Sequence, residues 1–485
     1  MPLARRSGGG CRLNWPLIYL ISEWVIRIVA VPIVLRRRGP SAATSWLLVI
    51  FFLPWFGFVL YVLIGENRLP RRRIDRQALA ATRQRILASL SAQSPHVVHP
   101  ELTPAQSTLV HLVERLGDKP ILGGNDSEVF THTDEMVERL IEDIDAATDH
   151  IHLLFYIIAD DATGHRITGA LARAVERGVK CRVLADHVGS WQFFKRLAPQ
   201  MRSQGIELYA MLPVNLFRRT LARMDLRNHR KIAVFDGRVA YAGSQNLVNA
   251  DYGTKDLVWH DMMVRLTGPI VLQLQSVFVE DWFAETEELL GDDRYFPDSQ
   301  VQGEVVVQSL PSGPTFPTGN YQRMVVAAIY AATEQVTITS PYLVPDAPFL
   351  QAMETAVLRG VRVSVIVPAR CDQVLVGAAA RGYYEALLTA GVRLYRHQHG
   401  LLHAKTMSID DQVALVGSGN FDIRSFYLNF ELNLLVYGPV VTRALREAQE
   451  GYLAESIELT LDEWRQRPWY KDILDNSAKL LSPLL

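Results

Sequence analysis

Two short stretches carry the same set of reactive side chains. "RNHRKIAVFD" and "LLHAKTMSID" both read His-x-Lys-x-x-x-x-Asp, at His229, Lys231 and Asp236 and again at His403, Lys405 and Asp410. The offset between the copies is 174 at all three positions. Seven residues after each aspartate comes Gly-Ser-x-Asn, supplying Ser244 and Asn246 in the first copy and Ser418 and Asn420 in the second. One accidental match is credible in a chain with 13 histidines, but two at equal offset with the same sequel mark a duplication. An imidazole can act as a nucleophile or carry a proton. An ammonium two residues away offers no lone pair to a metal ion and repels it. It suits an anion with non-bridging oxygens, above all a phosphate. The pattern therefore points to phosphoryl chemistry without a metal cofactor.

Spacing divides these residues by role. The β-rich runs "HRKIAVF" and "HAKTMSI" predict strands, on which His and Lys at i and i+2 share one face. Asp236 lies seven residues beyond His229, roughly 23 Å along an extended strand. Asp-Gly between β-rich runs predicts a hairpin tip there, and Asp410 has the same setting. Both aspartates read as turn or salt-bridge residues more than as reactive groups. The returning strands bring Ser244, Asn246, Ser418 and Asn420 back beside the His and Lys, where their hydroxyls and amides are expected to bind the substrate phosphate.

The supporting elements repeat as well. "IHLLFYIIADD" from Ile151 resembles "VTITSPYLVPD" from Val336, matching Tyr156 with Tyr342. A helical pattern follows each, stopping at Gly178 and Gly360 before a β-branched strand. "GIELYA" and "GVRLYR" come next, and the first half then has a connector 12 residues longer, within "MLPVNLFRRTLARMDLRN". Its Arg218, Arg219 and Arg223 among apolar residues fit a short basic amphipathic helix. The soluble part is thus an α/β fold of two homologous halves, 103–290 and 291–485, joined through the acidic stretch Glu285 to Gln300.

Residues 1–70 have a different composition. Two apolar segments, about 16–35 and 46–64, predict a two-helix transmembrane hairpin, followed by a basic linker over 71–102. Glu23 and Arg27 in the first segment stand at i, i+4 and can pair. Pro54 and Gly57 interrupt the second, as membrane helices allow. Arg68, Arg71, Arg72, Arg73 and Arg76 after it favour a cytoplasmic catalytic region, although Arg36, Arg37 and Arg38 would then fall on the wrong side. With 50 basic and 51 acidic side chains, the chain has no field suited to nucleic acid. Cys11, Cys181 and Cys371 are too scattered for a zinc or disulfide framework.

The duplicated motif is similar to that of the phospholipase D superfamily. Together with the apolar N-terminus, "PYLVPD", "LPSGP", "GLLHAK" and "GSGNFDIRSFYLNFELN" resemble bacterial cardiolipin synthases. The resemblance implies mixed sheets flanked by helices, two halves related by a pseudo-twofold, both motifs in one site and no metal. It implies a phosphohistidine intermediate, with His229 as nucleophile and His403 as acid/base, and counts Asp236 and Asp410 among the essential residues. It further implies an acidic residue downstream that orients each histidine. Asp261 and Glu431 occupy such positions, 32 residues after His229 and 28 after His403. The implied reaction joins two phosphatidylglycerol molecules into cardiolipin and glycerol, at a multi-pass site in the bacterial inner membrane. Hydrolysis of phospholipid head groups by the same residues is the alternative.

Overall fold

The computed structural model describes residues 14–37, 40–65, 95–214, 225–253, 257–316, 319–480 and 482. Most of the basic linker and the amphipathic connector lie outside the described residues. The chain forms two compact units, one from 1–70 and 217–225, the other from 71–216 and 226–485.

In the first unit, α1 (Trp15–Arg37) is the one described helix long and apolar enough to cross a bilayer. Glu23 and Arg27 pair along it at 3.4 Å, and the Arg27 Nε also donates to the Phe51 carbonyl. The second apolar segment departs from the expected single helix. It forms α2 (Pro40–Phe52) and α3 (Pro54–Ile64), separated at Leu53, whose φ of −132° and ψ of 72° leave the helical region. Pro54 disfavours helix at the residue before it and, lacking an N–H, opens α3 at its first turn. Rather than continuing, α3 folds back on α2: Trp46 and Tyr61 meet edge to face with centroids 5.2 Å apart. Only glycine fits at position 57, where a Cβ would stand 2.7 Å from the Ile50 Cα. With 13 and 11 residues, α2 and α3 are each too short to span alone.

The second unit is built on a 15-stranded mixed sheet. The first half contributes β1 (Leu122–Phe130), β2 (His150–Phe155), β3 (Lys180–Asp186), β4 (Glu207–Met211), β5 (Ile232–Phe235), β6 (Val239–Gly243) and β8 (Met263–Thr267), with β7 (Trp259–His260) outside the sheet. The second contributes β9 (Val305–Ser312), β10 (Gln335–Thr339), β12 (Arg362–Pro368), β13 (Arg393–His397), β15 (Thr406–Ile409), β16 (Val413–Gly417), β18 (Glu431–Tyr437) and β19 (Ser456–Leu459). Short strands β11 (Leu343–Val344), β14 (Leu401–Leu402) and β17 (Phe421–Asp422) lie beside it.

From the centre outward the first half runs β1-β8-β6-β5-β2-β3-β4, and the second β9-β18-β16-β15-β10-β12-β13 with β19 at the edge. The two orders correspond strand for strand, and the halves join through antiparallel β1 and β9. Buried Asn125 secures that seam, donating to the carbonyls of Leu122 and Val305 and accepting from the Ile270 N–H. Helices cover both faces, so the inner strands are buried throughout and read as nearly unbroken apolar runs. Helices Ile270–Thr286 and Pro439–Ala454, one from each half, share a core over one face. Gly178 and Gly360 end their helices in the left-handed region, at φ of 89° and 88°.

Candidate active site

The histidines and lysines do not lie on the strands where the pattern placed them. His229 and Lys231 precede β5, and His403 and Lys405 fill the gap between β14 and β15. Their backbones are tied to the opposite half instead of to a neighbouring strand of their own. The His229 N–H donates to the Phe430 carbonyl at 2.9 Å, and the His403 N–H to the His260 carbonyl at 2.8 Å. Parallel pairing of β14 with β7 continues the second tie. Arg230, between His229 and Lys231, is fixed by Asp281 at 2.6 Å and by the Glu431 carbonyl.

Each imidazole meets a carboxylate, and the pairing is crossed. His229 Nδ1 lies 3.0 Å from Glu431 Oε2, and His403 Nδ1 lies 2.7 Å from Asp261 Oδ1. The acid therefore comes from the other half in both cases, contrary to the expectation of an acid downstream in the same half. The unequal spacings of 32 and 28 were a comparison of residues that do not pair within a half. Ser244 and Ser418 hold these carboxylates: each hydroxyl donates at 2.6 Å, to Asp261 and to Glu431. Both serines are buried, and their hydroxyls are committed to the acids where the sequence had placed them on phosphate.

The neighbours fix the tautomers. His229 Nδ1 faces Glu431 and, at 2.9 Å, the Ser418 carbonyl, two groups that only accept. Nδ1 must carry the proton, which leaves Nε2 with its lone pair. Asp261 imposes the same form on His403. Burial lowers the His229 pKa to about 4, Glu431 opposing and Lys231 reinforcing the shift. His403 is lowered as well, by burial first, against Asp261. Burial would raise the two acids, but His403 and His229 respectively, with the lysines, outweigh it and hold both carboxylates below their usual range. The resting centre pairs neutral imidazoles with anionic acids.

Lys231 and Lys405 are fully buried, and each ammonium donates to the carbonyl of the histidine two residues before it. Burial pushes Lys231 well down and Lys405 to about 8, although Glu431 and Asp261 pull them back. Lys405 acts on His229, and Lys231 on His403, so the two motifs share one centre. Asn246 accepts from the Ile157 N–H at 3.0 Å, and the Oδ1 of buried Asn420 has no hydrogen-bond partner among the described residues.

Asp236 and Asp410 stand at the far ends of β5 and β15 from the histidines. The Asp236 carboxylate accepts from the N–H groups of Thr148, Asp149 and His150 and from the Thr148 hydroxyl. Asp410 does the same with Thr333, Glu334 and Gln335. Both have positive φ, 51° and 47°, at their hairpin turns. Neither touches the imidazoles.

Aromatic neighbours distinguish the two histidines, a role that no spacing in the sequence indicates. Tyr156 lies edge-on to His229 at 4.9 Å between centroids, whereas Trp259 lies against His403 at 4.4 Å. Tyr342, the counterpart of Tyr156, donates its hydroxyl to Asp372 instead. Among the described residues no cluster of three or more His, Cys, Asp or Glu could hold a metal ion.

A family model described as "Cardiolipin synthase, PLD-like domain" matches residues 140–282 and 325–451, and one described as "Phospholipase_D-nuclease N-terminal" matches 25–66. The chain is also 37% identical over 483 residues to cardiolipin synthase A of Pectobacterium atrosepticum, covering 98% of this chain and 99% of that one. This chain belongs to the cardiolipin synthase family. The corresponding proteins of Serratia proteamaculans and Yersinia pestis are similar to the same degree, 37% over 483 residues. The crystal structure of phosphatidylserine synthase from Haemophilus influenzae shares the fold, with a TM-score of 0.59 at 17% identity, over 78% of this chain and all of that one. Cardiolipin synthase family membership thus accounts for the catalytic unit and the apolar N-terminus together.

Proposed function

We propose that this chain is a cardiolipin synthase that transfers a phosphatidyl group from one phosphatidylglycerol to another, releasing glycerol. The observation that carries the reading is the crossed pair of imidazoles, each with Nδ1 on a carboxylate and Nε2 unprotonated, between two buried ammoniums. His229, with its pKa near 4, is the nucleophile: Nε2 attacks phosphorus, and the bond to the glycerol oxygen breaks. His403 in its protonated form delivers a proton to that oxygen, and glycerol leaves. The neutral His403 then takes the proton from a hydroxyl of the second phosphatidylglycerol, whose oxygen displaces His229 and yields cardiolipin. Arrival of the anionic phosphate favours the charged imidazole that the acid step requires. Lys231 and Lys405, with the amides of Asn246 and Asn420, stabilise the phosphoryl oxygens. Glu431 and Asp261 orient the histidines and favour their cationic forms, and Ser244 and Ser418 position the acids.

The matching strand orders support two halves, 103–290 and 291–485, related by a pseudo-twofold through the β1–β9 seam. The apolar N-terminal unit anchors the enzyme in the bacterial inner membrane with the catalytic unit on the cytoplasmic side. Full-length protein supplied with head-group-labelled phosphatidylglycerol should release labelled glycerol and form cardiolipin in equal amounts. Phosphatidic acid as the main product would make the enzyme a hydrolase instead.

A further inference from the structure

Apolar side chains stand exposed at matching places beside the site. Val188 and Trp191 follow β3, and Val374 and Leu375 follow its counterpart β12. Trp191 is the first residue of helix Trp191–Arg196 and is 50% exposed. Val374, the first residue of helix Val374–Arg381, is 84% exposed. Single exposed apolar residues are ordinary on a soluble surface. These four form two sets after counterpart strands, and residues next to each set interact with the catalytic centre.

On the first side, Asp186 accepts from the N–H of Val188 and also from that of Asn228, the residue before His229. Ser190 donates to the carbonyl of Tyr156, whose ring abuts His229. On the second side, Asp372 receives the hydroxyl of Tyr342 at 2.6 Å and acts on the Lys405 ammonium. Val374 begins its helix two residues later. Trp191 also carries the Lys195 ammonium over its ring at 4.3 Å. An indole beside an ammonium suits the bilayer interface, where the ring lies at head-group depth and the cation meets phosphates.

We infer that Val188, Trp191, Val374 and Leu375 form a lipid-docking rim that seats the catalytic unit on the surface of an anionic bilayer, on either side of the histidines. Substrate phosphates then reach His229 and His403 from the leaflet, with the acyl chains remaining in lipid. The inference rests on the lipid-transfer reading. Its test compares substrate held in a bilayer with the same head group free of one.

Full-length protein carrying Trp191→Asp and Val374→Asp together should lose about tenfold or more of its transfer from phosphatidylglycerol vesicles, because a charge cannot enter the interface. Transfer from short-chain phosphatidylglycerol, dispersed below its micelle concentration, should stay at the wild-type rate. Trp191→Phe with Val374→Ile should keep both activities. The fluorescence difference between wild type and Trp191→Phe should be quenched by brominated acyl chains. Unchanged vesicle activity, or an unquenched Trp191, would overturn the docking role. Equal loss on both substrates would assign these residues to the pocket or the fold. Recovery at higher protein concentration would give the rim to a second copy of the chain. Absence of transfer from either substrate in the wild type would tell against lipid transfer itself.

Discussion

If Glu431 serves His229 and Asp261 serves His403, replacing one acid must impair a single chemical role. Glu431→Gln retains the shape but removes the charge that faces Nδ1 of His229 at 3.0 Å. Hydrogen bonds to charged groups contribute about 1.5–3 kcal/mol, and neutral ones roughly half as much. As His229 becomes a phosphohistidine it gains positive charge, and an opposite charge about 4 Å away is then worth up to about 4 kcal/mol at an effective dielectric of 20. A loss of about 1.5–4 kcal/mol corresponds to a rate decrease of roughly ten- to a thousandfold. With phosphatidylglycerol, Glu431→Gln and Asp261→Asn should both slow turnover on that scale. A p-nitrophenyl ester of phosphatidic acid separates them, since p-nitrophenolate leaves without protonation. In rapid-mixing experiments the burst of p-nitrophenolate should persist in Asp261→Asn and His403→Ala. It should be lost in His229→Ala and strongly slowed in Glu431→Gln. A burst that survives Glu431→Gln and disappears in Asp261→Asn would refute the crossed assignment and return each acid to the histidine of its own half.

Other consequences are open to direct measurement. Asp236→Ala and Asp410→Ala should each lower stability by about 1–3 kcal/mol, since three backbone donors lose their acceptor, and leave kcat of the folded protein nearly intact. Burial works against ionisation of Asp236, but the bonds from Thr148, His150 and Asp149 outweigh it and lower its pKa. Its contribution is therefore present above the ordinary carboxylate pKa, near 3.9, and fades as pH falls through the lower folded value, so thermal melts of wild type and Asp236→Ala should converge in acid. Lys405, at about 8, loses its proton as pH rises, so kcat/KM should fall above about pH 8 and the fall should move to higher pH in Lys405→Arg; an unmoved limb would exclude Lys405 as its source. Because α3 folds back on α2, single cysteines at Ala42 and Leu63, in a chain cleared of native cysteines, should react with an impermeant reagent from the same side of the membrane. Labelling from opposite sides would mean that this segment crosses.

The sequence displayed the reactive groups more clearly than their partnerships. His229, Lys231, His403 and Lys405 stood out because duplication preserved their spacing, and Gly178 and Gly360 because a helix end in the left-handed region favours glycine. The aspartates were readable as turn residues from spacing along a strand. Spacing describes one segment at a time, so it carried no sign that Glu431 reaches His229 or that Ser418 turns to the acid. Those contacts arise only when the halves close. The second apolar segment misled for a related reason: its 19 residues from Trp46 to Ile64 match a bilayer in length, but Pro54 and Gly57 allow a reversal that hydropathy does not register.

The exchange of acids also bears on what half of this chain could be by itself. A polypeptide made of one half would hold an imidazole with no carboxylate at Nδ1, and a buried carboxylate with no imidazole. Two copies of that polypeptide, facing each other, would satisfy both needs, since each brings what the other lacks. A half is in this sense self-complementary, and its natural form is a pair. The stretch from Glu285 to Gln300 thus does more than link two halves. It turns an association between molecules, dependent on concentration, into a permanent property of one, and frees the two sides to diverge. Tyr156 against one histidine and Trp259 against the other mark where that freedom has been used.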